Sequence, residues 1–398
     1  MKKWKFNKNI ILFIACFVFI IVGFSSSPVR ENLKVAVLGF INKEFTVDVT
    51  KNRINNTLDK KLAYHAQLLN LNGLRENLLG TRVIKKDIYV VKSDSGSIIG
   101  PVEKIEKADL QKTVSIIKEL HLASEKNGAK FLYCAAPSKE LYETAPANVE
   151  NHFEENYQGF LNELESAKVP TIDFSQALEE NLAKDERFYY TDHHWTVRSG
   201  FVANNALLEE LNSRYGFEYD KEKTDIKNYK VKKYSNYFLG SKGKKVGTGF
   251  TWHGADDFEV ISPKFKTRFI EEQPFKNQVR KGYFKKTVFY KKHLKKDYYT
   301  VNPYAAYSGG DFRLQIMTNE LNTEGKKVLL VRDSFACVVA PFLALQTKEL
   351  HVCDVRAGGG YVGEKLNMKE YIKKIKPDYV LVLYNGVLKA SDTRHDFF

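Results

Sequence analysis

The sequence predicts an α/β protein: a doubly wound parallel sheet carrying a β-rich basic insertion. Three observations lead there. A helical stretch followed by a short apolar run recurs along the chain, giving at least five buried-strand candidates, the signature of a parallel sheet covered on both faces. One interval, 221–300, breaks that rhythm and differs sharply in composition. And the chain is long enough, at 398 residues with 43% hydrophobic and 13% aromatic residues, for one large decorated domain or two.

The N-terminal elements come first. Lys2, Lys3, Lys5 and Lys8 precede an uninterrupted apolar run from Ile10 to Phe24. A basic flank holds the N-terminus on the cytoplasmic side. The run is shorter than the ~20 residues of a full span, so residues 1–29 read as a signal anchor or a signal peptide. Ser25, Ser26 and Ser27 are small, but Pro28 follows at once and no Ala-x-Ala-like site is present, which favours an uncleaved anchor with the remainder outside the cytoplasm. Residues 30–107 form an N-terminal region: Asn55 to Arg75 has helical character, and Arg82 to Ile99 alternates about a turn at Ser93–Gly96, as a hairpin does.

The first part of the core spans 108–220. Leu110, Val114, Ile117 and His121 share one helical face, and Asn127-Gly128 is a helix stop. His121 is expected in the core rather than as a ligand. A buried strand follows at Lys130–Ala136, then a helix at Phe160–Ala167, a strand at Val169–Phe174, and a helix from Val197 to Leu211 with Thr196 as its N-cap. The second part spans 301–398, with strands at Val328–Val331, Leu350–Val355 and Tyr379–Tyr384 and helices at Phe335–Leu345 and Met368–Ile375. Cys134, Cys337 and Cys353 show no C-x-x-C pairing. They read as small buried hydrophobes, at least one of them unpaired in a monomer. Cys16 lies in the apolar run.

Between these halves, 221–300 holds 21 Lys+Arg against 8 Asp+Glu, so it carries nearly all of the chain's +14. It is rich in aromatics (Tyr234, Tyr237, Phe250, Trp252, Tyr283, Phe284) and glycines, without helical periodicity. Trp252, Lys244 and Lys245 are its candidates for polymer binding, because aromatic faces stack on sugar rings and clustered cations attract an anionic polymer or lipid headgroups. Export removes nucleic acid as a partner.

Two segments carry the chemistry. Val328–Phe335 reads as a strand entering a turn before a helix, so Ser334 sits at the carboxyl end of a parallel strand, where open α/β sheets place ligands. A helix N-terminus there would favour the negative oxygen formed by attack on an ester. Taken alone, Asp333 or Ser334 serves equally as a plain N-cap. In Thr191–Thr196, Asp192 and His194 are two apart and point the same way in an extended segment, so the carboxylate can orient the imidazole; His193 would point away. A polar loop before a helix is the plainer alternative. The Asp-His-His string also suits a manganese phosphoesterase, but the further Asp-x-Asp clusters of such a site are missing upstream. No metal or other cofactor is expected.

The block Asp192-His193-His194-Trp195 resembles the DHHW proteins, exported proteins of Gram-positive bacteria related to the alginate O-acetyltransferases AlgX and AlgJ, whose hydrolase-like domain is of the SGNH type. The likeness covers most of the chain from about Phe45, through Pro137-Ser138-Lys139, Leu239-Gly240-Ser241, Asp256-Asp257-Phe258, Asp333-Ser334-Phe335 and Asp354-Val355-Arg356. It implies an SGNH hydrolase-like fold and a triad of Asp192, His194 and Ser334, in an order reversed from ordinary SGNH esterases. It implies that Arg356 polarises an acyl carbonyl, although Ala357-Gly358 replaces the family's aromatic pair. Asn385, after the last strand, is a candidate oxyanion donor, and Lys139 and Trp195 are candidates for structural roles.

The function implied is O-acetylation of a cell-surface or secreted polysaccharide through an acetyl-serine, beside a membrane-bound O-acyltransferase that supplies acetyl. An acetyl esterase would use the same triad. A non-catalytic polymer-binding or assembly protein is the alternative from another class.

Overall fold

In the computed structural model, residues 27–398 are described, apart from 43, 62–63, 86–88, 357–363 and 387–390. The apolar run Ile10–Phe24, Cys16, Ala357 and Gly358 lie outside the described residues. No described helix is long and apolar enough to cross a membrane.

The strands, in chain order, are β1 (Val83–Lys85), β2 (Tyr89–Lys92), β3 (Ile98–Ile99), β4 (Lys130–Ala136), β5 (Thr171–Asp173), β6 (Tyr229–Phe238), β7 (Asp256–Pro263), β8 (Phe269–Gln273), β9 (Gln278–Gly282), β10 (Leu314–Asn319), β11 (Lys327–Arg332), β12 (Glu349–Cys353) and β13 (Tyr379–Asn385). Eight of them form the central sheet, in the order β5-β4-β13-β11-β12-β10-β8-β9. The first five in that order run parallel to one another; they are the five buried strands read from the sequence.

Alternate residues of these strands feed two separate cores, one on each face. Leu132 and Cys134 of β4, Leu330 of β11 and Leu383 of β13 pack with the helix Val197–Tyr215 through Phe201, Leu207 and Leu211. Phe131, Tyr133, Leu329, Val331 and Val382 pack on the other face. There they meet the helices Lys107–Lys126, Phe153–Ser166 and Met368–Ile375. This is the period-2 pattern of a sheet covered on both sides. Gly128 ends the first of these helices at a positive φ of 82°, which glycine adopts without a Cβ penalty. His121 is buried on that helix, stacked on Phe131 with ring centroids 5.1 Å apart.

Several expectations are corrected. The helical stretch at 55–75 is two helices, Val47–Lys61 and His65–Leu78, the second preceded by Tyr64 in the left-handed region. The helix at 160–167 begins earlier, at Phe153, because Phe153 and Tyr157 extend its buried face. β10, missed in the sequence, lies antiparallel to β12. The segment after Ser334 is not one helix. A 3-10 turn, Ser334–Val338, leads into a short helix, Ala340–Leu343, where Pro341 has no N–H for a continuous ladder. The helix-dipole argument for Ser334 therefore lapses.

The interval 221–300 packs into the core. β6 and β7 pair as an antiparallel ribbon, while β8 and β9 extend the central sheet. Phe258, Phe269, Phe284 and Phe289 pack into the same core as β4 and β11. Phe250 joins Val90 and Ile98 of the small sheet β1-β2-β3. Cys134, Cys337 and Cys353 are all buried and unpaired.

Candidate active site

Strand order places the site. Ser334 follows β11 directly, and β11 lies between β13 and β12, so the ends of these strands deliver Asn385 on one side and Asp354 to Arg356 on the other. Asp333 shapes the turn. Its carboxylate accepts from the Phe335 amide at 3.0 Å, from the Asn385 amide at 2.9 Å and from Arg394 Nη1 at 3.3 Å.

The Asp-His-His-Trp loop reaches this turn from the start of the helix Val197–Tyr215, which Thr196 caps by accepting from the Ser199 amide at 3.1 Å. Trp195 is fully buried and its indole N–H donates to the Phe335 carbonyl at 2.9 Å, fastening the loop to the serine turn. His194 Nε2 lies 2.7 Å from Ser334 Oγ, and His194 Nδ1 lies 2.5 Å from Asp192 Oδ1. With Nδ1–H donated to the carboxylate, Nε2 is left to accept the Ser334 hydroxyl proton. Asp192 also accepts from the His194 amide at 3.0 Å and, through Oδ2, from the Ser241 amide at 2.6 Å. Burial opposes ionisation of this carboxyl. The His194 and His193 imidazoles and these hydrogen bonds outweigh it and hold Asp192 well below the usual carboxylate range.

His193 does not leave the site. Its ring lies against that of His194, centroids 3.8 Å apart, while its Nδ1 meets Ser241 Oγ at 2.9 Å. Burial, and then the neighbouring His194, pull its pKa down to about 4, so it is neutral near pH 7. Asp192, His193 and His194 bring possible ligand atoms within 4.8 Å of one another. However, Asp192 and His194 already spend theirs on each other, on Ser241 and on Ser334, which fits proton transfer better than ligation.

Several residues that brace the site went unread or half-read. Tyr304 stacks on His194 at 4.2 Å between centroids, and no sequence pattern pointed to it. Lys139 is buried and donates to the carbonyls of Tyr189 and Tyr190 at 2.9 and 3.0 Å, a structural role; burial lowers its pKa to about 8. Asp256 accepts from the amides of Tyr190 and Thr191 at 2.6 and 2.9 Å. Glu140 is held at a pKa of about 2: burial pushes it up, but Lys242 at 2.7 Å, Ser138 and the Gly100 amide more than reverse that.

The other candidates sit at the margins of this hydrogen-bond chain. Asn385 donates its side-chain amide to the Pro137 and Ala136 carbonyls at 3.0 and 3.4 Å, binding β13 to the end of β4 instead of presenting a donor to an acyl oxygen. Arg356 is gripped by Asp354, with Nε at 2.9 Å, and by Asp311 at 3.0 Å. Lys244 donates to the Val301 carbonyl at 2.8 Å, and Lys245 is exposed. Trp252 donates to Asn77 Oδ1 at 3.2 Å, against the N-terminal region. An open cleft of ≈ 1200 Å³ comes up to His193 and Asn385, and no residue of 221–300 lines it. That interval serves the site from beneath instead, through Gly240, Ser241 and Asp256.

What the fold and the site define is an α/β domain bearing a serine–histidine–aspartate hydrogen-bond chain. Residues 100–236 match the family model described as SGNH hydrolase-like domain, acetyltransferase AlgX; this stretch holds Asp192 and His194 and ends before Ser334. The fold is similar to that of Bacillus cereus PatB1 in a structure with a sulfonyl adduct, at TM-score 0.61 and 17% identity over 77% of this chain and 99% of that one. It is also similar to a DHHW family protein from Eubacterium siraeum, at TM-score 0.56 and 18% identity over 76% of this chain and 92% of that one. Among curated protein sequences, none matches the chain.

Proposed function

We propose that the chain is an extracytoplasmic O-acetyltransferase that acetylates a cell-surface or secreted polysaccharide. The observation that carries this is the continuous chain Ser334 Oγ–His194 Nε2 at 2.7 Å and His194 Nδ1–Asp192 Oδ1 at 2.5 Å. Ser334 attacks the acetyl carbonyl of a donor, and His194 takes the hydroxyl proton and returns it to the leaving group. Asp192 fixes the imidazole and stabilises its charged form. The acetyl group then passes from Ser334 to a sugar hydroxyl. The match to an acetyltransferase-type domain supports transfer as the outcome.

The lysines before the apolar run Ile10–Phe24 support a single-pass anchor, with a secreted or wall-associated form as the alternative. Anchoring would hold the domain beside a membrane-bound O-acyltransferase that supplies acetyl. The exposed lysines of β6, Lys230, Lys232 and Lys233, suit a face turned to anionic envelope polymers or headgroups.

The test supplies the full-length chain with 4-nitrophenyl acetate, with and without a hydroxyl-rich oligosaccharide. We expect a fluorophosphonate adduct on Ser334, no nitrophenol burst from Ser334→Ala, and acetylated sugar by mass spectrometry. Acetate alone, with no acetylated sugar from any oligosaccharide, makes the protein an esterase. An unlabelled Ser334 and a burst that survives Ser334→Ala defeat the serine reading, leaving polymer binding.

A further inference from the structure

The cleft beside the hydrogen-bond chain has no part in the mechanism so far, yet it ends against it. It is larger than the roughly 300–1,000 Å³ of a small-molecule site, at ≈ 1200 Å³, and open along its length. Its walls are mixed: Ser138, Asn148, Glu150 and Ser391 line it beside Pro101, Val102, Ile105 and Phe153, and more of its exposed lining is apolar than polar. Its described cations are already paired, Lys104 with Glu155 at 2.6 Å and Arg394 with Asp392 at 2.9 Å. Such a surface offers hydrogen-bonding groups together with apolar patches, the pairing that suits a sugar, whose rings present hydroxyl edges and C–H faces. Neither Ser334 nor His194 lines it, but His193 does, and its side chain keeps 40% of its exposure although its ring stacks on His194. Nδ1 is taken by Ser241 Oγ, and among the described residues Nε2 has no hydrogen-bond partner. Because the Ser241 hydroxyl can either donate or accept, the ring can present an acceptor or a donor at Nε2.

We propose that this cleft is the acceptor site, that it takes a strand of a hydroxyl-rich saccharide, and that His193 binds the acceptor sugar next to the acyl group on Ser334. The inference rests on the acetyltransferase reading. In the transfer step the sugar hydroxyl oxygen bonds to the acetyl carbonyl carbon and the bond from that carbon to Ser334 Oγ breaks. The hydroxyl proton passes to His194 Nε2 and from there to Ser334 Oγ, so the enzyme is regenerated and the sugar ester leaves. His193 orients the hydroxyl and takes no proton. Its depressed pKa keeps it uncharged, so it does not oppose the charge that forms on His194.

The experiment uses the full-length chain, 4-nitrophenyl acetate as donor and cellopentaose as acceptor. It reads the nitrophenol burst for acylation, and the ratio of acetylated cellopentaose to free acetate for partition between sugar and water. His193→Ala should lower that ratio at least tenfold more than it lowers the burst. Asn148→Trp, on an exposed wall residue of the cleft, should raise the KM for cellopentaose at least fivefold. A His193→Ala variant that loses burst and transfer in equal proportion, or keeps the wild-type ratio, overturns the assignment of His193. An unchanged cellopentaose KM in Asn148→Trp overturns the cleft as the acceptor site. Failure of the underlying reading shows elsewhere, as a burst that persists in Ser334→Ala.

Discussion

Asp192→Asn puts the serine–histidine–aspartate chain to its most direct test, because the replacement keeps shape and removes only charge and one acceptor. Asp192 accepts three hydrogen bonds: from His194 Nδ1, from the His194 amide and from the Ser241 amide. An asparagine has one oxygen and one NH2 to set against these three donors. With the NH2 turned to His194, Nδ1 must become the acceptor and the imidazole proton moves to Nε2, which then donates to Ser334 Oγ and can no longer take its proton. With the NH2 turned to the Ser241 amide, two donors meet at a site built for 2.6 Å, and the imidazolium formed during attack still loses its counter-charge. Both routes disable the base. The corresponding change in a serine triad costs about 10⁴ in kcat, or about 5.4 kcal/mol at ~1.36 kcal/mol per decade. The assay is the rate of the nitrophenol burst, with a thermal melt to show that the variant is folded. A folded Asp192→Asn protein acylated within tenfold of the wild-type rate would refute the argument that Asp192 sets the tautomer of His194.

Three further predictions follow from how the site is braced. Gly240→Ala would set a Cβ 2.2 Å from Asp192 Cβ and 2.4 Å from its Cα; backbone on backbone has little room to yield, so we expect at least a hundredfold loss of acylation with ~1–3 kcal/mol of destabilisation, read by burst kinetics and urea unfolding. Trp195→Phe removes the 2.9 Å tie to the Phe335 carbonyl, while Tyr304 still donates to that carbonyl at 3.2 Å; stability should fall by about 1 kcal/mol, and kcat by about ten- to a hundredfold as Ser334 drifts from His194, whereas KM for the donor changes little. Glu140→Gln tests pH linkage. The folded pKa of Glu140 lies at about 2, below its unfolded value, so the ionised carboxylate contributes stability that is full above about pH 4.5 and lost as pH falls towards 2. The shift corresponds to roughly 3 kcal/mol, so the urea-unfolding gap between wild type and Glu140→Gln should be widest at pH 7 and close on acidification; a gap independent of pH from 7 to 3 counts against it.

The parallel half of the sheet was legible because burial on both faces leaves a mark on sequence. β4, β11, β12 and β13 are short apolar runs flanked by helical periodicity, and the structure pairs them side by side. β10, β8 and β9 left no such mark. They continue the sheet in antiparallel fashion, and β9 is largely exposed, so within the β-rich insertion its Gln, Arg and Lys residues do not mark a strand of the central sheet. The turn after Ser334 departs from the expected helix for a local reason: Phe335–Leu345 is apolar enough for a helix, but Pro341 cannot donate to a continuous ladder. At the site, spacing made Asp192 and His194 candidates, with a polar loop as the equal alternative, and the resemblance to the DHHW proteins joined them to Ser334. Tyr304 and Arg394 were not legible, because each reaches the site from a distant 3-10 turn whose sequence resembles any other loop.

The interval 221–300 meets the site through residues that its charge does not single out. Its positive charge and aromatic content suggested a surface that holds polymer for Ser334, lying as it does between the two halves of the chain that carry the site. The cleft that reaches His193 contains none of its residues. Its contribution is the Gly240-Ser241 turn under Asp192 and the Asp256 carboxylate under Thr191 and Tyr190. These contacts come from uncharged or acidic residues at the ends of β6 and the start of β7, while the lysines of β6 point to solvent. The middle of β6 thus carries exposed charge on both of its faces, while the residues that hold Asp192 lie just beyond its end. Reversing charge at Lys230, Lys232 and Lys233 together should therefore reduce retention on anionic vesicles or polymer and leave the nitrophenol burst at the wild-type rate. A burst that falls with the charge would mean that these lysines contribute to acylation.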